Sequence, residues 1–377
     1  MKVIFKDVVK RANSKEDRFN TEKIYYVGGE HIHSNELVIN ERGNIKGSTI
    51  GPMFYFGFKA GQVLFVTRNP HLRKAAMVEF DGICSEKTLV LETMNPSVLR
   101  QDYLPIIMQS DNFWHYCEEH KSGGVNYFVN WSTLANYEFD LPSIEKQKEI
   151  SNKVWSAYRL KQAYKKLLAA TDEMVKSQFI EMFSSYQTTP VGNYIEDSYP
   201  GEWGTEDKDG NGVKVIRTTN FTNSGKLDLT DVVTRSISEK KIERKTIRKY
   251  DTILERSGGT TDNPVGRVVL FEEDEQYLCN NFTQVLRFKK VDPIFAFYSL
   301  FYFYHTNKIV VRSMGSKTTG IQNLNMSKYL EIGIPNASDD EQKKFVAIAK
   351  QADKSKFELK QCIENIDKVI NSLINGK

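Results

Sequence analysis

The sequence predicts an α+β protein in which two β-rich globular domains, related by pseudo-twofold symmetry, are joined by two long antiparallel coiled-coil helices. Three observations predict it. The chain of 377 residues repeats itself once, at an offset near half its length. Each copy opens with a long stretch rich in Val, Ile, Phe, Tyr and Thr, in short alternating runs broken by Gly, Asn and Pro, the pattern of half-buried strands. Each copy closes with a Gly- and Pro-free stretch whose apolar residues step by three and four, the pattern of a helical seam. The boundaries that follow are residues 1–143 and 186–337 for the β-rich domains, and 144–185 and 338–377 for the helices.

At the front of the copies, "FKDVV" with "YYVGGEHI" matches "VGNYI" with "VIRTTNF". Next, "FKAGQVLFVTRN" (Phe58–Asn69) lies over "IRKYDTILERSG" (Ile247–Gly258), each a polar lead into an apolar run. One helix per half is expected inside the β-rich regions, at "DNFWHYCEEHK" and "PIFAFYSLFYFYHTNKIV"; the second is apolar nearly all round and therefore buried. Setting Pro142 on Pro335 puts Trp131 on Leu324 and Asn130 on Asn323, and aligns the phrases "LPSIEKQKEI" and "IPNASDDEQKKF". The second phrase then has two extra residues before its Gln.

In the first long helix the apolar positions are Ile150, Val154, Ala157, Tyr164, Leu168, Val175 and Met182, heptad steps with gaps at Lys161, Thr171 and Gln178. In the second they are Phe345, Ile348, Ala352, Leu359, Cys362, Ile366, Val369 and Leu373, with Ser355 between. Neither helix can bury its stripe alone, so the two are expected to pair antiparallel as a rod roughly 50–60 Å long, with a globular domain at each end. A dyad is also the symmetry of duplex DNA.

Composition narrows the function. Forty per cent hydrophobic and 12% aromatic residues belong to a folded protein. The opening "MKVIFKDVVKRANSK" lacks a signal peptide's apolar run, and no window reaches membrane-span length, so a soluble, cytoplasmic protein is expected. Cys84, Cys117, Cys279 and Cys362 are too scattered for a disulfide framework or zinc site. No Gly-Lys-Ser/Thr marks a P-loop, no Pro-Pro pair permits the Asx-Pro-Pro-aromatic loop of amino-methyltransferases, and no Pro-Asp opens a nuclease motif. His31 and His33, on one face if in a strand, lack a third ligand in any pattern, and no metal is expected. The chain reads as non-enzymatic.

Polar loops remain. Arg68, Asn69, His71, Arg73 and Lys74 follow a strand in the first half, and Arg256, Ser257, Thr260, Thr261 and Arg267 take the corresponding place in the second. Such residues read base edges or bind phosphates. "HKSGGVNYF", with Lys121 and Asn126, and "RSMGSKTTGIQN", with Ser316, Lys317, Thr318, Thr319 and Gln322, form a second matched pair, whose glycines allow close approach to a backbone. Arg217 and Asn220 of "VIRTTNF" complete the candidates. The net charge is only +4, but Arg235–Lys249 has seven positive residues against two negative, either a solvated helix face or a phosphate-contacting flank.

The two phrases carrying Gln147 and Gln342, with "VIRTTNF" and "YDTILERSGG", resemble the specificity subunit of type I restriction-modification enzymes along the whole chain. That resemblance implies two target-recognition domains, each reading a half-site in the major groove of double-stranded DNA, with the helices as a ruler between half-sites. It implies two modification (methyltransferase) subunits as partners, with S-adenosylmethionine, and restriction (motor-nuclease) subunits with ATP and Mg; no cofactor is expected in this chain. The alternatives are the recognition subunit of a system with one fused methyltransferase-nuclease partner, and a coiled-coil scaffold that does not bind DNA.

Overall fold

A computed structural model describes residues 1–260, 262–318 and 321–376, without the side chains of residues 317 and 318. The α+β architecture is present, and the chain divides into two compact units: Met1–Leu168 with Glu358–Lys377, and Ala169–Phe357. Both long helices, Ile144–Phe183 and Asp339–Asn375, run through both units.

In the first unit, Val9–Arg11, Thr88–Thr93, Val63–Val66 and Ala75–Met77 form an antiparallel sheet in that order. A second sheet orders Ser14–Lys15, Phe54–Phe58, Gly82–Ser85, Tyr25–Val27 and Gly43–Asn44, parallel only between Tyr25–Val27 and Gly82–Ser85. The second unit repeats the plan. Ile195–Pro200, Thr283–Phe288, Thr252–Glu255 and Val268–Leu270 form an antiparallel sheet, and Val213–Ile216 pairs parallel with Tyr277–Cys279 in another. In each unit a two-stranded ribbon joins the domain's first strand to its last: Lys2–Ile4 with Glu138–Asp140, and Thr188–Pro190 with Gly333–Pro335.

The buried helices form where expected. Asp292 accepts hydrogen bonds from the N–H groups of Ile294 and Phe295 and Pro293 fills the first turn, starting a helix Pro293–Thr306 that is buried nearly all round. Ser110 caps Asp111–Glu119 in the same way, through the Phe113 N–H. A short helix, Leu104–Met108, also precedes it, fully buried and too brief for its period to show in the sequence.

The repeat is real, but its register differs from the Pro142-on-Pro335 alignment. Gln147 and Gln342 do the same work. Gln147 Oε1 accepts the Arg100 N–H (3.0 Å) and its Nε2 donates to Pro142 O and Val98 O (both 2.9 Å). Gln342 Oε1 accepts the Asp292 N–H (2.8 Å) and its Nε2 donates to Ala337 O (2.8 Å). Pro142 therefore corresponds to Ala337. The same offset of 195 residues sets Ser143 on Ser338, whose hydroxyls accept the N–H groups of Lys146 (3.3 Å) and Glu341 (3.4 Å). It sets Asn130 on Asn325, which cap Trp131–Leu134 and Met326–Leu330. No residues are inserted before the second Gln: Pro142 and Pro335 are not equivalent, since Pro335 ends a strand and Ala337 takes the place of Pro142 as the acceptor of the Gln amide.

The helix seams also need correction by one residue. In the first unit, Gln147, Ser151, Val154, Tyr158 and Lys161 are buried, and Val154 and Tyr158 share a core with Ile370. In the second, Val175, Phe179 and Phe183 are buried with Phe345, Val346, Ala349 and Ala352. Tyr158 and Phe179 replace the expected Ala157 and Gln178, while Val369 is exposed and Ile370 buried. Each helix is packed by its own globular core as well as by its neighbour, so its buried face is wider than a two-helix seam and is centred elsewhere. The helices are antiparallel within each unit, since early turns of one lie beside late turns of the other.

Candidate nucleic-acid interface

In each unit, strand pairing brings the two candidate loops together. In the first, Arg68 pairs antiparallel with Phe128, which also pairs with Ser122, and the Asn69 N–H donates to Tyr127 O (2.9 Å). In the second, Ser257–Gly258, Ile321–Leu324 and Gly315–Thr318 make a three-stranded sheet with Ser257 opposite Asn323. Thus Ser257, not Arg256, stands where Arg68 does. The preceding strands explain this: Val63–Val66 and Thr252–Glu255 are equivalent, so Thr67 matches Arg256.

At the first junction Arg68 is exposed, with its guanidinium over the Phe128 ring at 5.9 Å. His71 is exposed in a 3-10 turn, Pro70–Leu72, between two residues of left-handed conformation, Asn69 and Arg73. The tip beyond them, Ser122–Tyr127, is exposed throughout: Asn126 is open, Val125 is 93% exposed, and Lys121 sits over the Tyr127 ring at 4.4 Å while bonding Glu118. Gly123, at φ 101°, makes the turn, and a Cβ there would meet Asn126 O at 2.5 Å. Val125 and Tyr127 also stand exposed at this tip, and apolar side chains beside glycines are the sequence signal for them.

At the second junction Ser316 and Thr260 are exposed and Gln322 is half-exposed. Ser257 is buried, donating to Asn323 Oδ1 (2.7 Å), so it positions the hairpin. Arg256 is half-buried and reaches Gln284 (3.4 Å). Thr261, Thr319 and the side chains of Lys317 and Thr318 lie outside the described residues.

Five of the DNA-contact candidates, and His31, have partners within their own unit. Asn220 is 3% exposed; its Oδ1 accepts the Arg217 N–H (2.8 Å) and its amide donates to Asp228 O and Asp231 O. His31 repeats this role, accepting the Gly28 N–H at Nδ1 (2.9 Å) in the 3-10 turn Gly29–His31, so the segment is not a strand and Nδ1 is already engaged. Arg217 bonds the Asp231 carboxylate and carbonyl (2.8 Å each). Arg267 pairs with the buried Glu255 (2.7 Å), Lys74 donates to Gly29 O (2.7 Å), and Arg73 binds Asp111 (3.0 Å). The four basic side chains follow a strand or turn as the sequence suggests, but each has a partner 12 or more residues away in the chain.

In the basic stretch, Glu239–Lys245 is a helix; Lys241 and Lys245 bind Glu202, Lys249 binds Asp274, and Lys240, Arg244 and Arg248 are exposed. Burial pushes the Cys84 thiol up to about 12 and holds Cys279 up at about 11. Among the described residues no group of three or more His, Cys, Asp or Glu could hold a metal ion, and no helix is long and apolar enough to cross a membrane.

Residues 197–368 match the family described as Type I restriction modification DNA specificity domain. No curated protein matches the sequence. Among solved structures, the chain is similar to one from a study of complex assembly and conformational transition of the type I R-M system, at 17% identity and TM-score 0.58 over 100% of this chain and 97% of that one. It is also similar to the type I restriction-modification S subunit from M. genitalium, at 14% identity and TM-score 0.59 over 99% and 94%. Most of the second unit is thus matched by sequence to the type I restriction modification DNA specificity domain, and the whole length shares the fold of these solved structures.

Proposed function

We propose that this chain reads a bipartite, asymmetric DNA site, one half-site per unit, and that the two long helices set the gap between the halves. The observation that carries this is the junction of two polar loops by the same strand pairing in both units: Arg68 with Phe128, and Ser257 with Asn323. A hairpin tip that is exposed, carries hydrogen-bonding and apolar groups and is rigidly based suits a groove edge, where donors, acceptors and the thymine methyl are read. The exposed Lys240, Arg244 and Arg248 supply phosphate attraction in the second unit. Catalysis belongs to partners on this reading: modification subunits bring S-adenosylmethionine, and restriction subunits bring ATP and Mg.

The test is to express the full chain with a type I modification subunit and map methylated adenines across a genome. A two-part motif is expected, and replacing residues 122–127 with the tip of another specificity subunit should change one half alone. Absence of any chain-dependent motif refutes the reading.

A further inference from the structure

The two units attach their globular part to the long helices with opposite charges. Under the offset that sets Gln147 on Gln342, Lys161 corresponds to Lys356, Asp172 to Asp367 and Tyr158 to Asp353. The bridge between the helices is common to both: Lys161 lies 2.7 Å from Asp367 in the first unit, and Lys356 lies 2.8 Å from Asp172 in the second. The group that the globular part adds is not. Glu36 and Lys226 are equivalent, each a few residues after the matched 3-10 turn and directly after a left-handed residue, Asn35 (φ 58°) or Gly225 (φ 75°). Glu36 meets Lys165 (2.9 Å), Lys161 (3.3 Å) and the Tyr158 hydroxyl (3.0 Å). Lys226 meets Asp353 (2.8 Å) and Glu272 (2.5 Å), and the other oxygen of Asp353 binds Lys356 (2.8 Å).

We propose that Glu36 with Tyr158, Lys161 and Lys165, and Lys226 with Asp353, are charge-reversed keys: positioning residues that assign each globular part to its own helical seat and hold it there in one orientation. The seats are complementary only to their own keys. A lysine at position 36 would stand beside Lys161, whose side chain is 9% exposed, and Lys165, and a carboxylate at position 226 would face Asp353 and Glu272. Like charges in partly desolvated sites are strongly unfavourable, and a seat that rejects the wrong occupant specifies the right one. The bearing of the keys on DNA rests on the proposed function; their bearing on the fold does not.

The test is hydrogen exchange on the full chain. Glu36→Lys should speed exchange in peptides covering 34–40 and 158–165 about tenfold or more, while peptides covering 222–230 and 350–356 stay native. Adding Tyr158→Asp, which copies the second unit's key into the first, should recover part of the protection lost in Glu36→Lys, the remainder being lost with the Tyr158 ring from the core. Glu36→Gln, which adds no like charge and should leave the chain folded, should speed exchange in the same peptides by a smaller factor. No change in Glu36→Gln, or no recovery in the double variant, overturns the proposal. In the assembled methyltransferase, Glu36→Lys should broaden the tolerated gap between half-sites without altering the bases read, and the double variant should narrow it again; an altered base preference overturns a positioning role. If the native complex shows no motif while exchange behaves as expected, the keys stand and the DNA reading fails.

Discussion

Replacing Gln147 by Met keeps the side chain's volume while removing all of its hydrogen bonds. Gln147 is wholly buried and makes three: one accepted from Arg100 and two donated, to Val98 and Pro142. At about 1 kcal/mol net for each bond, the substitution should cost about 3 kcal/mol, and more if the Arg100 N–H finds no water. For a unit of this size that lowers the midpoint by about 6–12 °C. Calorimetry of the full chain measures the shift, and hydrogen exchange assigns it to the first unit, where amides at 98–100 and 142–147 should lose protection. Gln342→Met removes two bonds and should cost less, about 2 kcal/mol, in the second unit. A loss below about 1 kcal/mol for Gln147→Met would refute the view that these glutamines anchor each helix start to its globular part.

Other perturbations separate contact from support. Arg68→Ala should weaken binding of the cognate site by about 1–3 kcal/mol and relax one half-site; equal weakening on all DNA would make Arg68 a phosphate contact. Asn220→Ala should destabilise the second unit by about 2–4 kcal/mol in thermal unfolding while the folded fraction keeps its base preference, since the amide is fully engaged internally. Burial tends to raise the Glu36 carboxyl, but Lys165, Lys161 and Tyr158 outweigh it and hold it below its ordinary 4.5. A depressed carboxyl contributes stability above its unfolded value that is lost as pH falls through the folded one, so protection at 34–40, corrected for the intrinsic exchange rate, should fall below about pH 4.5, and Glu36→Gln should remove that dependence.

Strong local signals made much of the fold legible. The Gly- and Pro-free heptads announced both long helices, and the all-round apolar run announced Pro293–Thr306. The candidate loops were legible as loops because Gly and polar residues follow alternating apolar runs. Which of their polar groups are already engaged was not, since Asn220, Arg267 and Arg73 are polar loop residues like Arg68 in sequence but bond Asp231 O, Glu255 and Asp111 in the fold.

By itself, then, the sequence determined that the chain is a duplicated α+β protein with two helical joints and paired polar loops, because periodicity and turn chemistry act over a few residues. Only the tertiary structure decided the register of the duplication, the buried row of each helix and the reversed charges at Glu36 and Lys226. Those depend on groups brought together from distant parts of the chain: a glutamine matched to its carbonyl, a helix face matched to the core beside it, and a charge matched to its seat.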